Sequence, residues 1–203
     1  MTDVAIVTGA SSGLGLEIAR LLEARGFAVI DVSRRTLGDA SRVDTAQAAI
    51  AAARERGELR LLVNCAGVGI YGPIGSYDAE AIRQLIDANL IATIVFCNAV
   101  FPLLREAGTG TIVNVLSTAA LIGKPNETVY CAAKWGARGY TDALRAEAKG
   151  TGVRVMAVAP GGMRTPFWNA DRTDFMDPAE VARAVVDAVF AKVTVTELVI
   201  QRT

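Results

Sequence analysis

The chain has 203 residues, 52% apolar and 21% charged, with 21 basic and 21 acidic side chains and no histidine. That length suits a single domain with a real core, and a zero net charge offers no pull toward nucleic acid or an anionic membrane. The lack of histidine removes imidazole acid–base chemistry and histidine-built triads and metal sites, so no metal is expected and proton transfer falls to Tyr, Lys, Asp, Glu or Cys.

The first element is a buried strand, Val4 to Val7, running into a glycine-rich turn, Gly9 to Gly15. A helix follows over Leu14 to Arg25, with Leu14, Ile18, Leu21 and Leu22 as its apolar stripe and Gly26 as its C-terminal signal. A turn of this kind is a candidate phosphate site, because the first turn of a helix carries unpaired N–H groups and the positive end of its dipole. Its spacing, G-x-x-x-G-x-G, matches neither the common dinucleotide fingerprint nor the phosphate loop ending in G-K-[ST]. A tight strand-to-helix connection is the competing reading.

Phe27 to Val32 reads as a second strand, followed by Ser33-Arg34-Arg35. After a short link, Thr45 to Arg56 is Ala-rich and helical, and Leu59 to Val63 is a strand leading into Asn64-Cys65-Ala66-Gly67. A Gly- and Pro-rich loop leads to a helix over Asp78 to Asp87. The apolar segment Asn89 to Leu104 comes next, about 16 residues long and interrupted by Asn98. It reads as too short and too polar to span a bilayer, and as a helix buried partly against another subunit.

Thr111 to Leu116 is a strand ending at Ser117, Thr128 to Lys149 a helix, and Val153 to Val158 a strand ending in Pro160-Gly161. Asp177-Pro178 starts a helix, with Asp as cap and Pro at the first helical position, and Leu198 to Gln201 is a final strand. This alternation predicts one Rossmann-like α/β domain over residues 1–203, a doubly wound parallel sheet of six to seven strands with helices on both faces. In such sheets ligands bind beyond the carboxyl ends of the strands, and six of these ends carry small or polar residues. The three cysteines, Cys65, Cys97 and Cys131, are too scattered for a disulfide framework or a zinc site. With no signal-peptide pattern, they fit free thiols in the cytoplasm.

Tyr130 and Lys134, at i and i+4, share one helical face. A phenol is a poor base near neutrality, and an adjacent ammonium would favour its phenolate and bring it toward a useful range. Together with T-G-A-S-S-G-L-G at Thr8 to Gly15, N-C-A-G at Asn64 to Gly67, Asn89, N-V-L-S at Asn114 to Ser117, Y-C-A-A-K at Tyr130 to Lys134 and P-G-x-x-x-T at Pro160 to Thr165, this set resembles the short-chain dehydrogenase/reductase family. The resemblance covers nearly the whole chain, in order. It implies Tyr130 as acid/base, Lys134 on the nicotinamide ribose, Ser117 on the substrate oxygen and Asn89 in a water-mediated proton relay. It also implies cofactor contacts from Gly9, Ser11, Ser12, Gly13, Leu14 and Gly15 at the pyrophosphate, from Asn64, Ala66 and Gly67 beside the adenine ribose, from Asp44 at the adenine edge, and from Pro160, Gly161, Met163 and Thr165 at the carboxamide. Asn64 and Asn114 have a plainer reading as residues that stitch strands together.

In the family, an acidic residue at the end of the second strand favours NAD. Here that position is Ser33, followed by Arg34 and Arg35, which suits the extra phosphate of NADP(H). Asp31, two residues earlier, would become the NAD aspartate if the register slipped. Only about seven residues, Arg34 to Ala40, separate the second strand from Arg42-Val43-Asp44. That is too few for a parallel crossover helix, so the helix is expected to be missing and Arg42 to Asp44 to be a vestigial strand or a loop. The segment Pro166 to Asp177 is also short, which implies an open substrate pocket. Its candidate lining is Val68, Ile70, Tyr71, Ala119, Leu121, Phe167 and Trp168, while Trp135 and Trp168 read mainly as packing or subunit contacts.

These features predict an NADP(H)-dependent carbonyl reductase or alcohol dehydrogenase acting on a small molecule, assembled as a homodimer or homotetramer. The alternatives are an NADP(H)-sensing binding protein without turnover and an NAD-dependent member. An epimerase or dehydratase on the same Tyr/Lys chemistry is the least favoured.

Overall fold

The opening apolar run is the strand about which the sheet divides. In the computed structural model, which describes residues 2–167 and 173–202, β1 (Asp3–Thr8) buries Val4, Ala5, Ile6 and Val7 completely. β1 pairs with β2 (Ala28–Val32) on one side and β3 (Glu58–Asn64) on the other. The sheet continues through β4 (Gly110–Val115), β5 (Val153–Pro160) and β6 (Glu197–Ile200). All six strands are parallel, in the order β2-β1-β3-β4-β5-β6. The winding reverses between β1 and β3, which opens a crevice beyond their carboxyl ends.

Apolar strands require cover on both faces. On one face α1 (Gly13–Ala24) and α6 (Pro178–Val189) pack together over Ile18, Leu22, Val181 and Val185. On the other lie α2 (Val43–Arg56), α4 (Ala92–Glu106) and α5 (Thr128–Glu147), with Phe96, Val100 and Leu104 fully buried. The Asp177 carboxylate caps α6, accepting from the Ala179 N–H at 2.8 Å.

The missing crossover is found. Residues 33–42 form turns with no helix or strand, so the sheet has six strands and β2 is its edge. Arg42 is the N-cap of α2, and Val43 and Asp44 begin that helix. The turn closes on itself: Ser33 N–H donates to Thr36 Oγ1 at 2.9 Å, and Gly38 N–H to the Ser33 carbonyl at 3.0 Å.

The expectation of a vestigial strand or a loop at Arg42 to Asp44 is thus corrected, since these residues start α2. The helical segments on either side of Asn89, which the sequence runs together almost without a break, are one continuous helix: α3 (Ala79–Ile86), a π-helical turn (Asp87–Ile91) and α4. It has 28 residues, and an 18-residue stretch of it reaches a mean hydropathy of 1.7, enough by length and composition to cross a bilayer. In this fold the apolar stripe of α4 lies against the sheet instead. The join near Asn89 is a widened turn, because an i→i+5 bond keeps the helix running while displacing one residue from the regular ladder.

Candidate active site

The turn after β1 is shaped for close backbone approach. Gly9 and Gly13 have φ of +72° and +55°, a region glycine occupies without strain. A side chain at Gly9 would press on Ala66 Cα at 2.9 Å, and one at Gly15 would collide with the Gly9 carbonyl. Thr8 Oγ1 accepts from the Cys65 and Ala66 N–H groups, both at 3.0 Å, which fixes the end of β3 against the end of β1. A cleft of about 1250 Å³ runs across these strand ends.

At the centre of the cleft stand four side chains from three elements. Ser117 ends the link from β4 and accepts from the Ala119 N–H at 3.1 Å, while its hydroxyl faces the Tyr130 phenol. Tyr130 and Lys134 project from the first two turns of α5, 6% and 5% exposed. Lys134 Nζ donates to the Val115 carbonyl at 3.1 Å and lies 5.9 Å from the Tyr130 ring centroid. Asn89 sits in the π turn, where Nδ2 donates to the Val68 and Leu85 carbonyls at 2.8 and 3.0 Å. That leaves the buried Asn89 Oδ1 without a protein partner. It faces Gly67: a Cβ there would lie 2.7 Å from Asn89 Oδ1 and 3.9 Å from Lys134 Nζ. The space that Gly67 leaves open can take a water or a ligand hydroxyl bridging the two groups.

The electrostatics depart from the expectation that Lys134 holds the phenol toward phenolate. Burial pushes the Tyr130 pKa above its ordinary value, with the Ser117 hydroxyl drawing it partly back. The same burial brings Lys134 down to about 8, so the ammonium has lost much of its own preference for charge. Burial also pushes the Cys65 thiol, beside Lys134, up to about 12, which leaves it inert.

Eighteen of the residues anticipated from the sequence line this one cleft: the turn residues, Ser33, Arg34, Ala66, Gly67, the central four and the Pro160 to Thr165 contacts. Three do not. Arg35 is exposed and outside the cleft lining. Asp44 is held by Arg42 at 3.1 Å in the exposed first turn of α2. Asn64 lies beneath the cleft floor, donating to Asn114 Oδ1 at 2.8 Å, as the strand-stitching reading has it. Of the proposed substrate lining, Val68, Tyr71 and Phe167 face the cleft, whereas Ile70, Ala119 and Leu121 do not. Ala119 is instead fully buried in a 3₁₀ turn over Thr118–Ala120. Trp168 lies outside the described residues.

The cradle fits a dinucleotide. The start of α1 carries no side-chain cap on its N–H groups, and an orphaned amide oxygen and an ammonium stand further along the same cleft. A sequence model of the family described as short chain dehydrogenase matches residues 36–175. The chain belongs to the short-chain dehydrogenase/reductase family. It is 32% identical to the ketoacyl reductase HetN of Nostoc sp., over 93% of this chain and 76% of that one. It is 32% identical to D-threitol dehydrogenase of Mycolicibacterium smegmatis, over 90% and 84%. Its fold superposes with a TM-score of 0.90 on the 3-ketoacyl-(acyl-carrier-protein) reductase of Brucella melitensis complexed with NADH, at 25% identity over 97% and 96% of the two chains.

For a short-chain dehydrogenase/reductase, the adenine end is the unusual part. Gly38, Asp39 and Ala40 line the cleft there, from the turn that replaces a crossover. Sequence reasoning missed them, although Gly38, at φ +121°, marks a reversal that aims the next residues back at β2. Ile122, Lys124 and Phe175 were also missed, because loops bring them to the rim.

Proposed function

We propose that the protein is an NADP(H)-dependent carbonyl reductase or alcohol dehydrogenase. The observation that carries this reading is the convergence of Tyr130, Ser117, Lys134 and Asn89 on one point of the cleft, with Asn89 Oδ1 left open beside Lys134. A bound nicotinamide cofactor would supply or accept the hydride. The chain's own residues handle the oxygen and its proton. Ser117 and Tyr130 hydrogen-bond the carbonyl oxygen, and Tyr130 donates its phenolic proton as negative charge develops there. The raised phenol pKa keeps Tyr130 protonated until that moment, which suits the reducing direction. A water accepting from Lys134 and donating to Asn89 Oδ1 would then return a proton from solvent to the Tyr130 phenolate.

For the cofactor, Ser33 and Arg34 line the cleft and Asp31 does not. One Asp31 oxygen is buried without a partner, burial raises its pKa, and the residue stands outside the cleft lining where a 2′-phosphate would meet Ser33 and Arg34. The half-exposed Trp135 on α5 and exposed Ile82 on the adjoining α3 support a homodimer or homotetramer through these helices. Three free cysteines support a cytoplasmic location.

The test is to follow NADPH oxidation against a panel of aldehydes, ketones and quinones, with NADH and Tyr130→Phe as controls. Turnover with NADPH that the variant lacks supports the reading. No turnover despite tight NADPH binding would favour a nucleotide-sensing protein, and tighter NADH binding would overturn the cofactor assignment.

A further inference from the structure

The wall beside the Tyr130 phenol is aromatic. The rings of Tyr71, Tyr130 and Phe167 form a closed triangle with centroids 5.7, 5.9 and 6.4 Å apart, and Tyr71 and Phe167 each meet Tyr130 edge-on. They come from three separate segments: the loop after β3, α5 and the stretch after β5. Gly69 makes the arrangement possible. A Cβ there would stand 2.7 Å from both Tyr71 Oη and Phe167 Cε1, so any larger residue would displace one ring or both. Val68 continues the apolar surface along the cleft.

The cations at this end are engaged. Lys124 Nζ donates to Thr118 Oγ1 at 2.9 Å and lies beside Glu127, and Arg202 is paired with Asp174 at 2.7 Å. Glu80, Asp87 and Glu127 also line the cleft, so an anionic substrate meets acidic side chains whose repulsion a neutral one escapes.

Resting on the carbonyl reductase reading, we propose that Tyr71 and Phe167, seated over Gly69, form a specificity wall that selects compact, uncharged cyclic ketones and the matching secondary alcohols over open-chain and anionic ones. Tyr71 and Phe167 both line the cleft and pack on Tyr130, so they stand next to the hydrocarbon part of a substrate whose oxygen lies between Ser117 and Tyr130. Flat rings meeting edge-on favour a rigid ring as the third partner, through both contact area and edge-to-face geometry. A ring also has little rotamer freedom to lose on binding, unlike an open chain of the same carbon number.

The experiment compares cyclohexanone, 2-hexanone and 4-oxocyclohexanecarboxylate with NADPH, in the wild type, Tyr71→Ala and Gly69→Ala. The wild type is expected to favour cyclohexanone over 2-hexanone by about tenfold or more in kcat/KM, within the range apolar pockets achieve, and to use the carboxylate least. Tyr71→Ala should bring the ring preference to near unity with an unchanged KM for NADPH. Gly69→Ala is a second route to the same result, because Gly69 does not adopt a left-handed φ and only side-chain tips need move. Calorimetric titration of cyclohexanone into the NADP⁺ complex should show the same loss in both variants, independently of turnover. Reduction of 2-hexanone as efficiently as cyclohexanone, or a ring preference that survives Tyr71→Ala, would overturn the specificity wall alone. No reduction of any ketone would overturn the carbonyl reductase reading and this inference with it.

Discussion

The two ends of the cleft are built to different standards. The catalytic end is buried and tightly determined: Tyr130, Lys134 and Asn89 are each at most 6% exposed, and they are placed by α5, by β4 and by a π turn inside one long helix. The adenine end is a surface turn held mainly by Ser33 and Thr36, at the open edge of β2. Proton transfer depends on fractions of an ångström, so the groups that perform it need rigid support. Cofactor affinity can be shared among many contacts, and a flanking strand and helix can be lost without disturbing the chemistry.

Substitutions at the two ends should therefore fail differently. The largest effect is expected for Tyr130→Phe, about 10²- to 10⁴-fold in kcat with NADPH affinity retained, as for loss of a general acid. Stopped-flow turnover beside fluorescence titration of NADPH would show the split. A comparable loss of affinity would mean that the catalytic end also carries cofactor binding.

Next is Arg34→Ala at the other end. It should weaken NADPH about tenfold or more, the scale of one charge-assisted hydrogen bond, while leaving NADH affinity and the kcat at saturating NADPH unchanged. Equal weakening of both cofactors would remove the phosphate role from Arg34.

The third prediction sharpens the cost of the rigid end. Burial brings Lys134 from its ordinary 10.5 to about 8 on folding, so between those values the unfolded chain binds more protons than the folded one. Stability from this group is lowest below pH 8 and recovers as pH rises toward 10.5. Lys134→Met should thus be more stable than the wild type at pH 7, with the advantage shrinking across that window in urea denaturation. An advantage that does not change with pH would assign it to packing instead.

The smallest effect is expected for Asp44→Ala. Its pair with Arg42 is exposed to solvent and adds little to stability, and cofactor affinity should stay within about a factor of two, since Asp44 lies outside the cleft. A large loss of NADPH affinity would return Asp44 to the adenine edge.

The sequence could announce the fold because each signal in it was local. The apolar run at Val4 to Val7, the glycine turn, the Asp177-Pro178 start and the Tyr130/Lys134 pair each follow from backbone rules acting over a few residues. Even the missing crossover was a matter of counting: about seven residues cannot bridge parallel strands. Tertiary structure decided what depended on orientation and solvent. It put Asp44 on a helix and gave its place beside the cleft to Asp39 and Ala40, because a turn closed by Thr36 reverses the chain. It joined two helices through a π turn that sets Asn89 Oδ1 against Gly67. It also reversed the simplest electrostatic inference. An ammonium four residues away should favour phenolate, but burial weakens the charge of both partners, and desolvation is a property of the packed whole that no spacing records.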